Sequence, residues 1–465
     1  MTVSTENVPG NGDDLARLVT ESMPESIADL SKLVRIPSVS WSAFDPAHVQ
    51  RSAEAVADLV RATGVFETVE ISRAPIAGKS ELGQPAVLAR REARNGKPTI
   101  LLYAHHDVQP PGRDEDWDTA PFEPVVKGDR LYGRGAADDK AGVMTHIAAI
   151  RAIAAAHGND LDVGLALFIE GEEEFGSRSF SAFLDQHRDT LEADAIVVAD
   201  SDNWTTTTPS LTVSLRGNVT FRLDIRTLDH ASHSGMFGGA VPDAMMATIR
   251  LLNTLWNDDG SVAVSGLTSR DAETPEFDEA QLRVDAGLRP SASLTGSGEI
   301  LGRMWNKPAI TVTGMDVPDV GSASNTLLPQ VSVRVSARIA PGQNAEDAYR
   351  ALEKHLHDNI PFGAEISIDD VDTGSPFLVD TSGPLVAAAL DAMRAGWGEE
   401  PVSTGIGGSI PFVADLVSTF PDAEILITGV EDPDTRAHSP NESLHLGVFR
   451  RAILTEAILL ETLNG

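Results

Sequence analysis

Seven histidine and acidic residues stand where apolar runs of this chain end. His105 and Asp107 lie in YAHHDV, Asp138 in YGRGAADDKAG, Glu173 and Glu174 in EGEEEFGS, Asp200 in VVADSDNW, and His438 in RAHSPNE. Imidazole and carboxylate donors from separate segments suit two neighbouring divalent cations that share one ligand. Such a pair can ionise a water and stabilise a developing oxyanion, which is the chemistry of amide hydrolysis.

Each motif also has a plainer explanation. His105 and Asp107 are two apart just past an extended run, so their side chains face the same way and the carboxylate can orient the ring. A polar turn would account for the pair equally well. His106 should point away, and it is assigned no role. Asp138 follows Gly133 and Gly135, which permit a sharp turn before a helix; Asp138 or Asp139 could simply cap that helix. Glu170, Glu172, Glu173 and Glu174 crowd five positions after an apolar strand. A solvated loop is the ordinary reading of such a run. At a strand end in an α/β core, neighbouring carboxylates would repel unless cations neutralise them, which favours one as ligand and its neighbour as general base.

The elements that must position these residues can be read from periodicity. A helical pattern runs from Asp13 to Val34, where Ile36-Pro37 interrupts it, and a second from His48 to Thr63. Strands are expected at Phe66–Ser72, Val87–Arg91, Thr99–Tyr103, Val163–Ile169 and Ala195–Ala199, with a helix at Lys140–His157. Strands alternating with helices imply an α/β core with its crevice at the carboxyl ends of the strands. After Pro209 the pattern changes. Leu211–Thr227 reads as one long strand, Val241–Trp256 as a helix, and Asn257–Gly298 as an acidic excursion. Strand Val331–Ala340, helix Ala345–Asn359 and strand Glu365–Val371 complete an α+β module inserted into the first domain. Past Ser375 the α/β rhythm returns with helix Pro384–Trp397, strand Glu424–Thr428 and helix Leu444–Leu463.

At 465 residues the chain is long enough for two domains. Its formal net charge of -33 argues against nucleic acid and against an anionic membrane surface as partners. With no cysteine, disulfides and thiolate ligands are excluded, and any metal must rest on His, Asp and Glu. No apolar stretch reaches the length of a membrane span. The polar, acidic start MTVSTENVPGNGDD is unlike a secretory signal, so the expected location is cytoplasmic.

Seven short motifs, in order, resemble those of M20-family metallopeptidases, the group that includes carnosinase-type dipeptidases. They are YAHHDVQPP, LYGRGAADDKAG, FIEGEEEFGS, VVADSDNW, SHSGMFGGAVPDA, GGSIPF and AHSPNE. The likeness runs from the opening helix to the last one. It implies a metal-dependent catalytic α/β domain in two parts, 1–210 and 377–465, with an inserted α+β lid and dimerisation domain at 211–376. It further implies one cation on His105 and Asp200, a second on Glu174 and His438, and Asp138 as the bridge. Glu173 is the implied general base, and Asp107 the residue that orients His105. Asp202, in the local S-D-N-W string, is the alternative to Asp200.

His233 in SHSGMFGG corresponds to a histidine that reaches the neighbouring subunit of a homodimer and helps hold the oxyanion. Asn218, Thr326, Arg338 and Ser409 occupy positions where the dipeptidases this chain resembles contact substrate. Arg338 suits a terminal carboxylate in bidentate fashion, and Arg334, four earlier on the same side, competes with it. The implied activity is hydrolysis of dipeptides or short peptides with two divalent ions, Zn²⁺ or Mn²⁺. The alternative is an N-acyl amino acid amidohydrolase of the aminoacylase type. Phe175 and Gly405-Ile406 depart from the family pattern.

Overall fold

A computed structural model describes residues 11–407 and 411–465. Among the described residues the chain divides into two compact units, one of residues 11–213, 379–404 and 415–465, the other of residues 214–378, 405–407 and 411–414. Residues 405–407 and 411–414 therefore group with the second unit, although the sequence places them in the returning C-terminal portion.

The first unit is built on a sheet whose strands run in the order Thr68–Ser72, Ala86–Arg91, Gly164–Glu170, Thr99–His105, Ala195–Val198 and Glu424–Ile427. The central strands are parallel, and the two at the Thr68 edge are antiparallel. Every residue of Thr99–His105 and of Gly164–Glu170 is buried. That is why both read as continuous apolar runs rather than as alternating ones.

On one face Ile100, Leu102, Leu165 and Leu167 pack with the helices Asn11–Val34, Lys140–His157 and Leu446–Asn464. On the other, Tyr103 stands edge-on to Phe168 and Phe180, with ring centroids 5.7 and 5.8 Å away. Each fully buried Phe of this cluster contributes about 1.5–3 kcal/mol by leaving water. The strand ends are thus anchored from both sides.

Buried Lys140 ties the opening helix to this core. Its Nζ donates to the Leu33 and Ile36 carbonyls at 2.9 and 2.7 Å, and so satisfies the end of helix Asn11–Val34. Burial lowers its pKa to about 7.

The second unit is a four-stranded antiparallel sheet in the order Ala309–Asp316, Gln330–Ile339, Gly217–Arg226 and Glu365–Gly374. One face is apolar, with Val219, Phe221, Leu223, Val331, Val333 and Val335 packed against helices Ala244–Asn253 and Ala345–Asp358. Each helix has a side-chain cap: Asp243 accepts from the Met246 N–H at 2.6 Å, and Asn344 from the Asp347 N–H at 3.0 Å.

The expected single strand Leu211–Thr227 is two strands, Ser210–Leu215 and Gly217–Arg226. The break falls at Arg216–Gly217, where a Cβ on Gly217 would meet the Gly374 carbonyl oxygen at 2.5 Å. The alternation of apolar residues continues across the break, so periodicity alone could not show it. Strand Ala309–Asp316 was not anticipated, and the 257–298 excursion carries one short helix, Glu279–Asp285. Among the described residues no helix is long and apolar enough to cross a membrane.

Candidate metal centre

His105 is the last residue of strand Thr99–His105, which runs two residues beyond the end at Tyr103 that the sequence suggests, and the ring is buried. Its Nδ1 lies 3.2 Å from the Asp107 carbonyl oxygen and 3.4 Å from Asp107 Oδ1. Asp107 also accepts the backbone N–H groups of Glu173 and Glu174, each at 3.1 Å, and the Ser40 hydroxyl at 2.6 Å. One carboxylate thus orients the ring and pins the Glu173–Phe175 turn beside it. His106 turns away, with Nε2 2.9 Å from the Pro85 carbonyl oxygen; burial lowers its pKa to about 4.

The face of His105 that remains, Nε2, is buried without a hydrogen bond. Around it stand Asp138 Oδ1 at 3.2 Å, Asp200 Oδ1 at 3.8 Å and Glu173 Oε2 at 4.0 Å. The other oxygen of Asp138, Oδ2, lies 2.9 Å from His438 Nε2, which is 3.3 Å from Glu174 Oε2. Asp138, Glu174 and His438 offer ligand atoms within 4.8 Å of one another, as do His105, Asp139 and Asp200. A lone imidazole nitrogen facing several carboxylates, with no Lys or Arg among them, is a donor set that fits divalent cations.

The electrostatics point the same way. Burial pushes the Glu174 carboxyl up to about 7 and the Asp200 carboxyl up to about 6, helped in each case by the charge of Asp138. Burial, with the charges of Asp200 and Glu174, holds Glu173 well above the usual carboxylate range. Burial would also raise Asp138, yet its contacts with His105 and His438 hold it below that range. Hydrogen bonds to Asp138 and Glu174 push His438 up to about 11. Without metal, the imidazoles act as the cations of this cluster.

Neither Asp138 nor Asp139 caps the helix that follows. Asp139 sits at the N-cap position of Lys140–His157 without a capping hydrogen bond, and its Oδ2 accepts from the His105 N–H at 3.0 Å. A Cβ at Gly142 would meet Asp139 Oδ1 at 2.0 Å and the Ala199 carbonyl oxygen at 2.5 Å. Only glycine lets this helix start so close to the neighbouring strand end.

The four glutamates after strand Gly164–Glu170 divide by partner. Glu170 accepts the Tyr103 hydroxyl at 2.7 Å, and Glu172 accepts from Arg178 at 2.8 Å and the Ser179 N–H at 2.9 Å. Glu173 and Glu174 face the cluster. Asp202 is exposed and belongs to neither ligand group, whereas Asp200 does.

The remaining expected site residues lie on the second unit. Asn218 and Arg338 are Cα partners across strands Gly217–Arg226 and Gln330–Ile339. His233 and Thr326 are Cα partners in the short pairing Ser232–His233 with Thr326–Leu327. His233 is exposed, and its Nδ1 accepts from the Gly235 N–H at 3.0 Å. Arg334 is engaged by Asp370, at 3.4 Å. Ser409 lies outside the described residues.

Sequence reasoning assigns Asp139 no role beyond a possible helix cap, and Arg134 and Glu442 none. Asp139 was visible as the second carboxylate of the DD pair. For Arg134 and Glu442, 308 positions apart, spacing carries no signal.

A parallel-centred α/β unit, an antiparallel second unit and a ligand set for paired cations define a metallohydrolase. A model of the peptidase family M20/M25/M40 matches residues 101–462, and the chain belongs to that family. It is 32% identical over 381 residues to the cysteinylglycine-S-conjugate dipeptidase of Corynebacterium striatum, covering 81% of this chain and 83% of that protein. It is 27% identical over 379 residues to the human beta-Ala-His dipeptidase, covering 78% and 74%. Among solved structures, the di-peptidase Dug1p of Saccharomyces cerevisiae shares the fold with a TM-score of 0.75, at 24% identity over 97% of this chain and 98% of that one.

Proposed function

We propose that this chain is a dipeptidase that works with two divalent cations. One would be held by His105 and Asp200, the other by Glu174 and His438, with Asp138 shared. The observation that carries this reading is the carboxylate of Asp138, whose two oxygens face two histidines 333 positions apart in sequence, at 3.2 and 2.9 Å. When bound, such ions supply Lewis acidity and bring the pKa of a water from about 15.7 towards roughly 7.

The rest falls to side chains. Glu173 accepts the proton of the attacking water and returns it to the leaving amine. Its buried carboxyl, raised in the metal-free chain, is suited to both halves of that transfer. Asp107 fixes the ring of His105 and the Glu173–Glu174 turn as one piece. Arg338 is assigned the substrate carboxylate on the resemblance, with Arg334, four positions earlier on the same strand, as the alternative. His233, exposed on its own unit, is assigned to the oxyanion of the neighbouring subunit in a homodimer, beside Thr326. Asn218 is assigned to substrate beside Arg338, and Ser409 joins them on the resemblance alone.

Zn²⁺ and Mn²⁺ both suit imidazole and carboxylate donors. The N-acyl amino acid amidohydrolase alternative is not favoured, since the two curated relatives named above are dipeptidases. The test is a panel of dipeptides beside N-acyl amino acids, assayed on chelated protein restored with Zn²⁺ or Mn²⁺. Turnover of dipeptides that depends on the restored metal is expected. Turnover that survives chelation, or that is confined to the N-acyl substrates, would overturn the proposal.

A further inference from the structure

Two loops that carry expected ligands to the same cation, 133–138 and 436–442, come from distant parts of the chain and have no covalent link. Between them lies a fully buried carboxylate, Glu442. Its Oε1 accepts the N–H groups of Ala137 at 3.0 Å and Asp138 at 3.2 Å. Its Oε2 accepts the Gly135 N–H at 3.1 Å and Arg134 Nη1 at 2.5 Å. The backbone joins in, since the Gly133 N–H donates to the Glu442 carbonyl oxygen at 3.0 Å. Arg134 is likewise buried, and its Nη2 reaches the Ser439 carbonyl oxygen at 3.4 Å.

The loop that Glu442 closes is not relaxed. Arg436, His438 and Asn441 have φ of 59°, 61° and 64°, in the left-handed region that side chains other than glycine avoid. Asn441 is steadied through its side chain, which accepts the Asp118 N–H at 2.8 Å. His438 itself is 58% exposed, so packing does little to hold it. A strained, exposed ligand needs its backbone fixed from behind.

We infer that Glu442, with Arg134, is a positioning residue that clasps the His438 loop to the Asp138 loop and so sets the gap in which the second cation binds. This rests on the two-cation reading above. The site on His105 and Asp200, at the ends of strands, depends on the clasp only through Asp138. Loss of the clasp therefore weakens the Glu174–His438 site most.

The test measures Zn²⁺ bound by full-length wild type and E442Q in chelator-buffered Zn²⁺, with circular dichroism and thermal melting alongside. Wild type is expected to bind two ions. E442Q is expected to keep one at near-normal affinity and to bind the other roughly 10–100-fold more weakly. E442D, which restores charge with a shorter reach, should fall between them. Should E442Q not fold, E442D decides alone: a selectively weakened ion supports the clasp, and wild-type binding of both overturns it. Two ions held by E442Q at wild-type affinity, with only a lowered melting temperature, would show a merely structural role and also overturn it. Fewer than two ions on wild type would instead sink the two-cation reading, so the two failures are distinguishable.

Discussion

The carboxylates of the first unit and those on the polar face of the second unit's sheet use the same chemistry to opposite ends. On the second unit, Arg222 lies 2.8 Å from Asp224 and 3.8 Å from Asp369, and Arg334 lies 3.4 Å from Asp370. Both guanidiniums are more than 40% exposed, as are Asp369 and Asp370. Water and arginine neutralise that face, and such pairs add little to stability. In the first unit, Asp138, Glu173, Glu174 and Asp200 are withdrawn from water beside the imidazoles of His105 and His438, and Glu174 also accepts from the neutral Gln109 amide at 2.7 Å. Like charges buried without Lys or Arg are costly unless protons or metal ions neutralise them. Burial and the missing partner, rather than acidity, separate a site from a surface in this strongly acidic chain.

The contrast breaks most completely if the shared carboxylate goes. Asp138→Asn should reduce bound Zn²⁺ from two ions to fewer than one, and lower kcat/KM by more than about a thousandfold. Elemental analysis beside dipeptide turnover checks both. Glu173→Gln should cut kcat by about 10²–10⁴-fold while both ions stay bound; a near-normal rate would remove it as the base. Asp200→Asn should cost one ion, whereas Asp202→Asn, altering an exposed carboxylate, should leave metal content unchanged.

Protonation sharpens the same comparison. In the metal-free chain His438, raised to about 11, carries a proton at neutral pH, and Glu174, raised to about 7, is partly protonated. Ligands must shed these protons to bind a cation, so lowering the pH opposes binding and affinity should climb as pH rises. Calorimetry at pH 7 in buffers of different ionisation enthalpy should register at least about one proton released per chain. The smallest effect belongs to the surface. Asp369→Ala should move the melting temperature by under about 2 °C, because the pair it breaks is solvated.

Much of the molecule was legible before any coordinates. Helix Lys140–His157 falls where its Ala, Ile and Met spacing put it, and the buried strands betray themselves as apolar runs. The ordinary readings of the site motifs were harder to dismiss from sequence. Capping by Asp138 or Asp139 fails because Asp139 spends its carboxylate on the His105 backbone N–H, a contact that periodicity cannot express. The four glutamates look alike in EGEEEF, and only their neighbours sort them: Tyr103 takes Glu170, Arg178 takes Glu172, and Asp107 holds the other two towards the cluster.

The amino-acid order by itself determined which residue types could serve as ligands, the strand ends that carry them and the family to which the chain belongs, because these follow from local patterning and from motifs in sequence. Tertiary structure alone decided that Asp138 faces both His105 and His438, that Asp200 rather than Asp202 turns inward, and that Glu442 closes the loop behind them. Those contacts join segments up to hundreds of residues apart, and what selects them is the packing of a sheet buried on both faces, which no short window of sequence contains.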